Sequence, residues 1–289
     1  MFLGSDQYKR LFRHFLIAPL LMLLTGYSTL SLASDNRLTV TGSSTVAPMI
    51  LEISKRFERL HPGVRIDVQT GGSSRGINDT RTGIADLGMV SRALKSTEAD
   101  LTAYLIATDT IGIIVHRSNP ISTLSHQQIR AIYTGATTNW RQLGGDNRPI
   151  TVVNKAEGRS TLELFLANFE LKNSLIKASV VIGDNQQGIK IVAGNPGAIA
   201  YVSTGTATYE EAAGTPIKQA AISNHINPLT PVTSQPYLIS RQLNLVVKNQ
   251  PSGLAQQFIE FAQSESVHDL IAGQFFTPVP RNNLANEAR

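Results

Sequence analysis

The chain has 289 residues, 42% of them hydrophobic and 16% charged, which is enough to bury the core of one large domain or of two lobes. It contains no cysteine, so disulfide bonds, thiolate metal sites and cysteine nucleophiles are excluded. The net charge of +5 is a weak indication of anionic partners. Because only 6% of the residues are aromatic and basic residues form no stripe, we expect no nucleic-acid surface.

The first segment has the pattern of a secretory signal peptide. Basic residues precede an apolar run, and small residues follow at the positions that a signal peptidase reads: Lys9, Arg10, Arg13; 15–24; Ser31, Ala33. The run is short for a transmembrane helix, although an uncleaved anchor is the alternative. We predict cleavage near Ala33 and a periplasmic mature chain that begins near Ser34.

From Leu38 onward, strand-like and helix-like segments alternate, which predicts α/β layers with mostly parallel strands. Strands are predicted at 38–40, 64–68, 84–90, 111–115, 150–153, 180–182, 198–202 and 243–247. Helices are predicted at 50–60, 73–83, 96–104, 125–135, 162–169, 186–193 and 254–261. We expect polar connections over 137–149 and 204–214, and a frayed tail over 281–289.

Three turns rich in Gly, Ser and Thr, at 41–48, 70–77 and 154–161, each join a predicted strand to a predicted helix. The amino end of a helix carries unpaired N–H groups and partial positive charge, which suits an oxyanion. Ligands in open α/β sheets bind at this edge. The turns and the end of a fourth strand offer hydroxyls, amides and guanidinium groups: Ser43, Ser44, Thr45; Ser73, Ser74, Arg75; Ser91, Arg92; Arg159, Ser160, Thr161. The alternative for each turn is a helix cap, and for each Arg an ion-paired or solvated surface residue.

Other chemistries fit the sequence less well. It has no G-x-x-x-x-G-K-[ST] phosphate loop, no G-x-S-x-G motif and no H-E-x-x-H motif. The His residues are scattered, which gives no local support for a metal cluster. A serine hydrolase would need a general base beside Ser44, Ser73 or Ser160, and His61 and His116 are not at suitable strand ends. We therefore expect no catalytic residue, no cofactor and no metal.

At these turns the sequence resembles the substrate-binding proteins of ABC-type phosphate transport, over essentially the whole mature chain. The resemblance is carried by five motifs: TGSSTVAP (41–48), GGSSRGI (71–77), ADLGMVSR (85–92), NKAEGRST (154–161) and AGNPGAIAYV (193–202). It implies the α/β fold of a type II periplasmic binding protein. Two lobes, each a mixed, mostly parallel sheet flanked by helices, are then joined by a two-strand hinge. The implied bounds are a signal peptide at 1–33, lobe one at 34–113 and 236–289, and lobe two at 114–235.

The resemblance also implies a function. Inorganic phosphate would bind between the lobes and be delivered to membrane ABC permease subunits, by a monomer that is not an enzyme. The phosphate ligands that the resemblance implies, together with residues next to them in the same motifs, are Ser44, Thr45, Val46, Ser73, Ser74, Ser91, Arg92, Arg159, Ser160 and Thr161. The alternatives are a receptor for another oxyanion such as sulfate or molybdate, a secreted serine-dependent phosphatase or hydrolase, and an adhesin or signalling partner with a vestigial pocket.

Two departures from the family pattern are visible. Lys155 stands where many members have Arg, and Arg159-Ser160 stands where many have Ser-Gly. Ser91 stands where many members have an acid that accepts the proton of hydrogen phosphate and so excludes sulfate. Asp86 is the acid near the turns that could substitute for it, or it could simply brace the second turn.

Overall fold

The computed structural model describes residues 36–223 and 237–279; the predicted signal segment, its cleavage point and the tail at 281–289 lie outside these ranges. The strands are β1 Arg37–Gly42, β2 Arg65–Thr70, β3 Leu87–Val90, β4 Thr102–His116, β5 Thr123–Ser125, β6 Thr151–Lys155, β7 Val180–Ile182, β8 Ala198–Ser203, β9 Ile217–Ser223, β10 Ile239–Val247 and β11 Thr277–Pro278. The helices are α1 Ala47–Leu60, α2 Ser73–Thr82, α3 His126–Tyr133, α4 Ser160–Asn168, α5 Asn185–Gly194, α6 Thr204–Ala212, α7 Gly253–Ala262 and α8 His268–Gly273. Within the described ranges, no helix combines the length and apolar character needed to cross a membrane.

The strands form a mixed sheet with the order β2-β1-β3-β10-β4-β8-β6-β7. β1 is parallel to β3, and β6 is parallel to β7 and β8. The antiparallel pairs along this order involve the two central strands, since β10 is antiparallel to β3 and β4, and β4 is antiparallel to β8. The predicted α/β class, with a mixed sheet and flanking helices, is confirmed.

The buried apolar side chains form two separate cores, and the central strands β4 and β10 contribute to both. One pair of clusters is built from residues between 38 and 107 and between 243 and 276, and we call this part lobe one. The other pair is built from residues between 111 and 222 together with Ile239, and we call this part lobe two. β4 passes from one core to the other between Ala107 and Ile111, and β10 does so between Ile239 and Leu243. The exact lobe bounds given above stay a prediction.

Two predicted segments are wrong. Residues 96–104 contain only a 3₁₀ turn at Ser96–Glu98, and from Thr102 the chain pairs with β10. Residues 204–214, predicted as a loop, contain helix α6. Its local cap is Ser203, whose hydroxyl accepts from the Thr206 N–H at 3.2 Å, and the N–H of Gly205 donates to the carboxylate of Asp109, 96 residues away, also at 3.2 Å. β5, β9, β11 and α8 were also not predicted.

An aromatic cluster in lobe two fixes the start of α4 against the end of β6. The ring of Phe165 stacks on Tyr201 at a centroid distance of 3.9 Å and contacts Tyr133 at 4.7 Å. The Tyr201 hydroxyl donates to Asn154 Oδ1 at 2.6 Å and accepts from the Lys155 N–H at 3.2 Å. Burial raises the pKa of the Tyr201 phenol, so it remains protonated at neutral pH. These ring contacts and hydrogen bonds therefore hold the end of β6, where the third Gly/Ser/Thr turn begins, against α4.

We predict that Phe165→Ala lowers the free energy of unfolding by about 3–5 kcal/mol, because it leaves a cavity beneath α4. Urea denaturation measures this change. Leu175→Ala is the control, since Leu175 is 51% exposed and should change stability by no more than about 0.5 kcal/mol. Equal effects of the two substitutions would contradict the role of the aromatic cluster.

Candidate functional site

The three Gly/Ser/Thr turns come together at one place between the lobes. The N–H of Ser74 in the second turn donates to the carbonyl of Gly158 in the third turn at 3.2 Å. The Asn185 amide of lobe two donates to the hydroxyl of Thr45 in the first turn at 3.1 Å. A Cβ placed on Gly72 would lie 2.7 Å from the Gly158 carbonyl, so this close approach requires glycine. Each turn thus contacts a residue of the opposite lobe.

In the first turn, Ser43 accepts hydrogen bonds from N–H groups at the start of α1, whereas Thr45 faces the opposite lobe. Ser43 Oγ accepts from the N–H groups of Thr45 and Val46 at 3.2 and 3.4 Å. The alternative of a helix cap therefore accounts for Ser43. The Thr45 side chain is buried and instead faces Asn185 and Arg241.

Ser44 is placed differently from Thr45 and Val46, which are buried. It is half-buried and lines a groove with Pro48, Leu51 and Gln186. Ser44 is thus at the margin of the arrangement.

The second turn meets the end of β3. Ser73 is the first residue of α2, and its Oγ accepts from the N–H of Ser91 at 3.1 Å, with the two hydroxyls 3.5 Å apart. Both residues are buried. Asp86 precedes β3 and is exposed, and its carboxylate accepts from the Thr39 N–H at 2.7 Å. Asp86 therefore braces β1 at the opposite end of β3 and does not substitute for an acid at Ser91.

The third turn contains donors that the protein itself does not satisfy. Arg159 precedes α4, and Ser160 and Thr161 lie in its first turn. Among the described residues, Lys155 Nζ, Arg159 Nε and Ser160 Oγ are buried and have no hydrogen-bond partner. An unpaired buried donor costs roughly 1–3 kcal/mol. Three such donors, one at the end of β6 and two at the start of α4, indicate a place for a group rich in acceptor atoms.

Arg241 joins the site although no motif in the sequence indicated it. It lies on β10 with a fully buried side chain, and Nη2 and Nε bind Asp109 Oδ2 of β4 at 2.6 and 2.9 Å. The same guanidinium donates to Thr161 Oγ1 at 3.0 Å and to Thr45 Oγ1 at 3.3 Å. One side chain thus reaches hydroxyls of both lobes. The available sequence signal was a charged residue just before the apolar strand predicted at 243–247.

Arg92 is engaged by protein groups. Its two terminal nitrogens bind the Glu98 carboxylate at 2.7 and 2.8 Å, and Nε lies 3.0 Å from Glu163 Oε2. The hydrogen bonds from Arg92 lower the pKa of Glu98. Lys95 Nζ also lies 2.7 Å from Glu163, which belongs to α4 of lobe two. Arg92 and Lys95 therefore link lobe one to lobe two through one carboxylate.

The side chains that other chemistries would need are placed elsewhere. His61 stacks on Phe57 at a centroid distance of 4.0 Å, and His116 contacts Ser118. In the part of the chain that the structure describes, no group of three or more His, Asp or Glu side chains could hold a metal ion. Arg75 is turned to Asp79 and to the carbonyl of Thr70. The arrangement is therefore a collection of hydrogen-bond donors.

Comparison with known proteins identifies relatives along most of the chain. The profile of the PBP superfamily domain matches residues 28–266. The phosphate-binding protein PstS of Bacillus subtilis is 25% identical over 264 residues, which cover 88% of this chain and 85% of the relative.

Solved structures extend the comparison to three dimensions. A phosphate ABC transporter substrate-binding protein from Clostridium perfringens, solved with bound phosphate, is 30% identical, with a TM-score of 0.73 over 84% of this chain and all of that one. An ABC-type phosphate transport receptor from Vibrio cholerae is 25% identical, with a TM-score of 0.64 and the same coverage of both chains. By sequence and by fold, this chain belongs to the PBP superfamily.

Proposed function

We propose that this protein is a receptor that binds inorganic phosphate between its two lobes for an ABC-type transporter. The observation that carries the proposal is the convergence of buried donors from both lobes, three of which have no partner among the described residues. A tetrahedral anion accepts many hydrogen bonds in a small volume and is favoured at helix N-termini. The relatives named for phosphate binding or transport support this choice of anion.

The proposed contacts come from both sides of the site. From lobe one they are the Thr45 hydroxyl, the Val46 amide and the hydroxyls of Ser73 and Ser91; from lobe two they are Arg159, Ser160 and Thr161. Ser44 and Ser74 are half-buried at the margin, and Arg92 contributes by joining the lobes. The hydroxyls and amides would stabilise the anion through hydrogen bonds without the full desolvation cost of many charged groups. The protein is a binding protein and not an enzyme, as its family is one of receptors.

The transport role requires export and motion. We propose that the pattern in the first 33 residues directs export, so that the mature chain works as a monomer in the periplasm. The two strands that cross between the lobes, β4 and β10, would act as a hinge that closes over the anion. The closed form would then be presented to the membrane permease subunits.

Calorimetric titration of the mature chain should show saturable binding of phosphate, and Arg159→Ala should weaken it about 10- to 100-fold, because one charged hydrogen-bond donor is lost. Arg141→Ala is the matched control, since Arg141 is an exposed residue of lobe two. Tight binding of sulfate or molybdate without phosphate binding would contradict the choice of anion. Turnover of a chromogenic phosphate ester would contradict a receptor.

Glu163→Gln should weaken phosphate binding about 5- to 30-fold although Glu163 is not a proposed contact, because it removes the charge that joins Arg92 and Lys95 to α4. Glu170→Gln is the control, because the Glu170 side chain is 82% exposed. The same titration measures both. Unchanged affinity of the Glu163 variant would show that this link does not stabilise the bound form.

A further inference from the structure

Lys155 is a donor of the site that carries its charge on an almost fully buried side chain. It is the last residue of β6 and is 3% exposed. Its Nζ atom has no hydrogen-bond partner within 36–223 and 237–279. The nearest acidic residue in the sequence, Glu157, is exposed and accepts a hydrogen bond from Asn173 at 3.1 Å. The amine of Lys155 is therefore buried without a hydrogen-bond partner among the described residues.

The charged and titratable groups that face Lys155 make its position more positive. Arg241 faces it from β10 and Arg159 from the start of α4, while the Asp184 carboxylate before α5 opposes them. The phenol of Tyr201 on β8 faces its backbone N–H. Burial lowers the pKa of Lys155 to about 7, and Arg241 and Arg159 act in the same direction.

The carboxylates near the site offset its positive charge only in part. Asp109 Oδ2 is bound by Nε and Nη2 of Arg241, so these two residues form a neutral pair. Asp184 is half-buried, caps α5 through the Gln187 N–H at 2.8 Å, and its charge opposes those of Lys155 and Arg159. Lys155 Nζ and Arg159 Nε nevertheless have no hydrogen-bond partner among the described residues. A second negative charge on a bound ligand would favour the protonated form of Lys155 and pair with it.

We propose that Lys155 makes the site select doubly charged tetrahedral anions over singly charged anions of the same shape. The inference rests on the proposed function, because it assigns hydrogen phosphate rather than dihydrogen phosphate as the form that binds. The two forms have the same four oxygens and differ by one proton. In a buried site, the second negative charge interacts strongly with an ammonium group that otherwise has no partner. That charge also keeps the ammonium group protonated in the complex.

The test uses the titration of phosphate itself. Phosphate passes from its singly to its doubly charged form between about pH 5.5 and about pH 7.5, so binding is measured by calorimetry at both values. The wild type should bind total phosphate about three- to tenfold more tightly at the higher pH, because the gain in doubly charged phosphate outweighs the partial deprotonation of the free Lys155. Lys155→Arg, which keeps a fixed charge, should show a larger increase. Lys155→Met should weaken binding about 10- to 100-fold at the higher pH and much less at the lower pH.

Three outcomes distinguish the possibilities. Equal weakening of Lys155→Met at both pH values, with a native unfolding midpoint, would assign Lys155 a purely structural role and overturn the inference. A wild type that binds phosphate equally well at both pH values would overturn it without any variant. A wild type that binds phosphate at neither pH would instead contradict the proposed function.

Discussion

A buried ion pair between Arg241 and Asp109 connects the two strands on which both lobes depend. β10 carries the arginine and β4 carries the aspartate, and each strand passes from one core to the other. Removal of either partner would leave an uncompensated buried charge, at a cost of about 3–5 kcal/mol. The second oxygen of Asp109 receives the Thr204 hydroxyl and the Gly205 N–H at the start of α6. The pair thus positions two strands, one helix and the hydroxyls of Thr45 and Thr161 together.

The site forms because helices begin where the strands that precede them end. β1 and β3 are parallel neighbours in lobe one, and β6 and β8 are parallel neighbours in lobe two, so their carboxyl ends lie on common edges. Glycine permits the final approach. Gly42, at φ +134°, would place a Cβ 2.3 Å from the Met89 carbonyl, and Gly72 fits against Gly158. Glycine at these positions therefore permits the close approach of the first turn to β3 and of the second turn to the third.

The lobes are also joined by one carboxylate outside the proposed contacts, that of Glu163. Glu163 lies between Arg92 and Lys95, so α4 contributes its first turn to the site and its next turn to the contact with lobe one. The cationic side chains of the site thus fall into two groups, according to whether a carboxylate of the described residues contacts them. Arg92 and Arg241 have carboxylates in contact, whereas Lys155 Nζ and Arg159 Nε have no hydrogen-bond partner among the described residues. This separation explains how a site rich in cations can remain folded and still attract an anion.

The sequence by itself determined the α/β class, most strands and helices, and the three turns, because these depend on local periodicity and on Gly, Ser and Thr at strand–helix junctions. Their convergence, and the arrangement of charge there, was decided only by the tertiary structure. Arg241 is 80 residues from Thr161 and 196 from Thr45, and Asp86 near the second turn proved to face the other end of β3. The start of helix α6 likewise contacts Asp109, 96 residues away, in addition to its local cap at Ser203. Such contacts depend on strand order and pairing register, which local residue patterns do not specify.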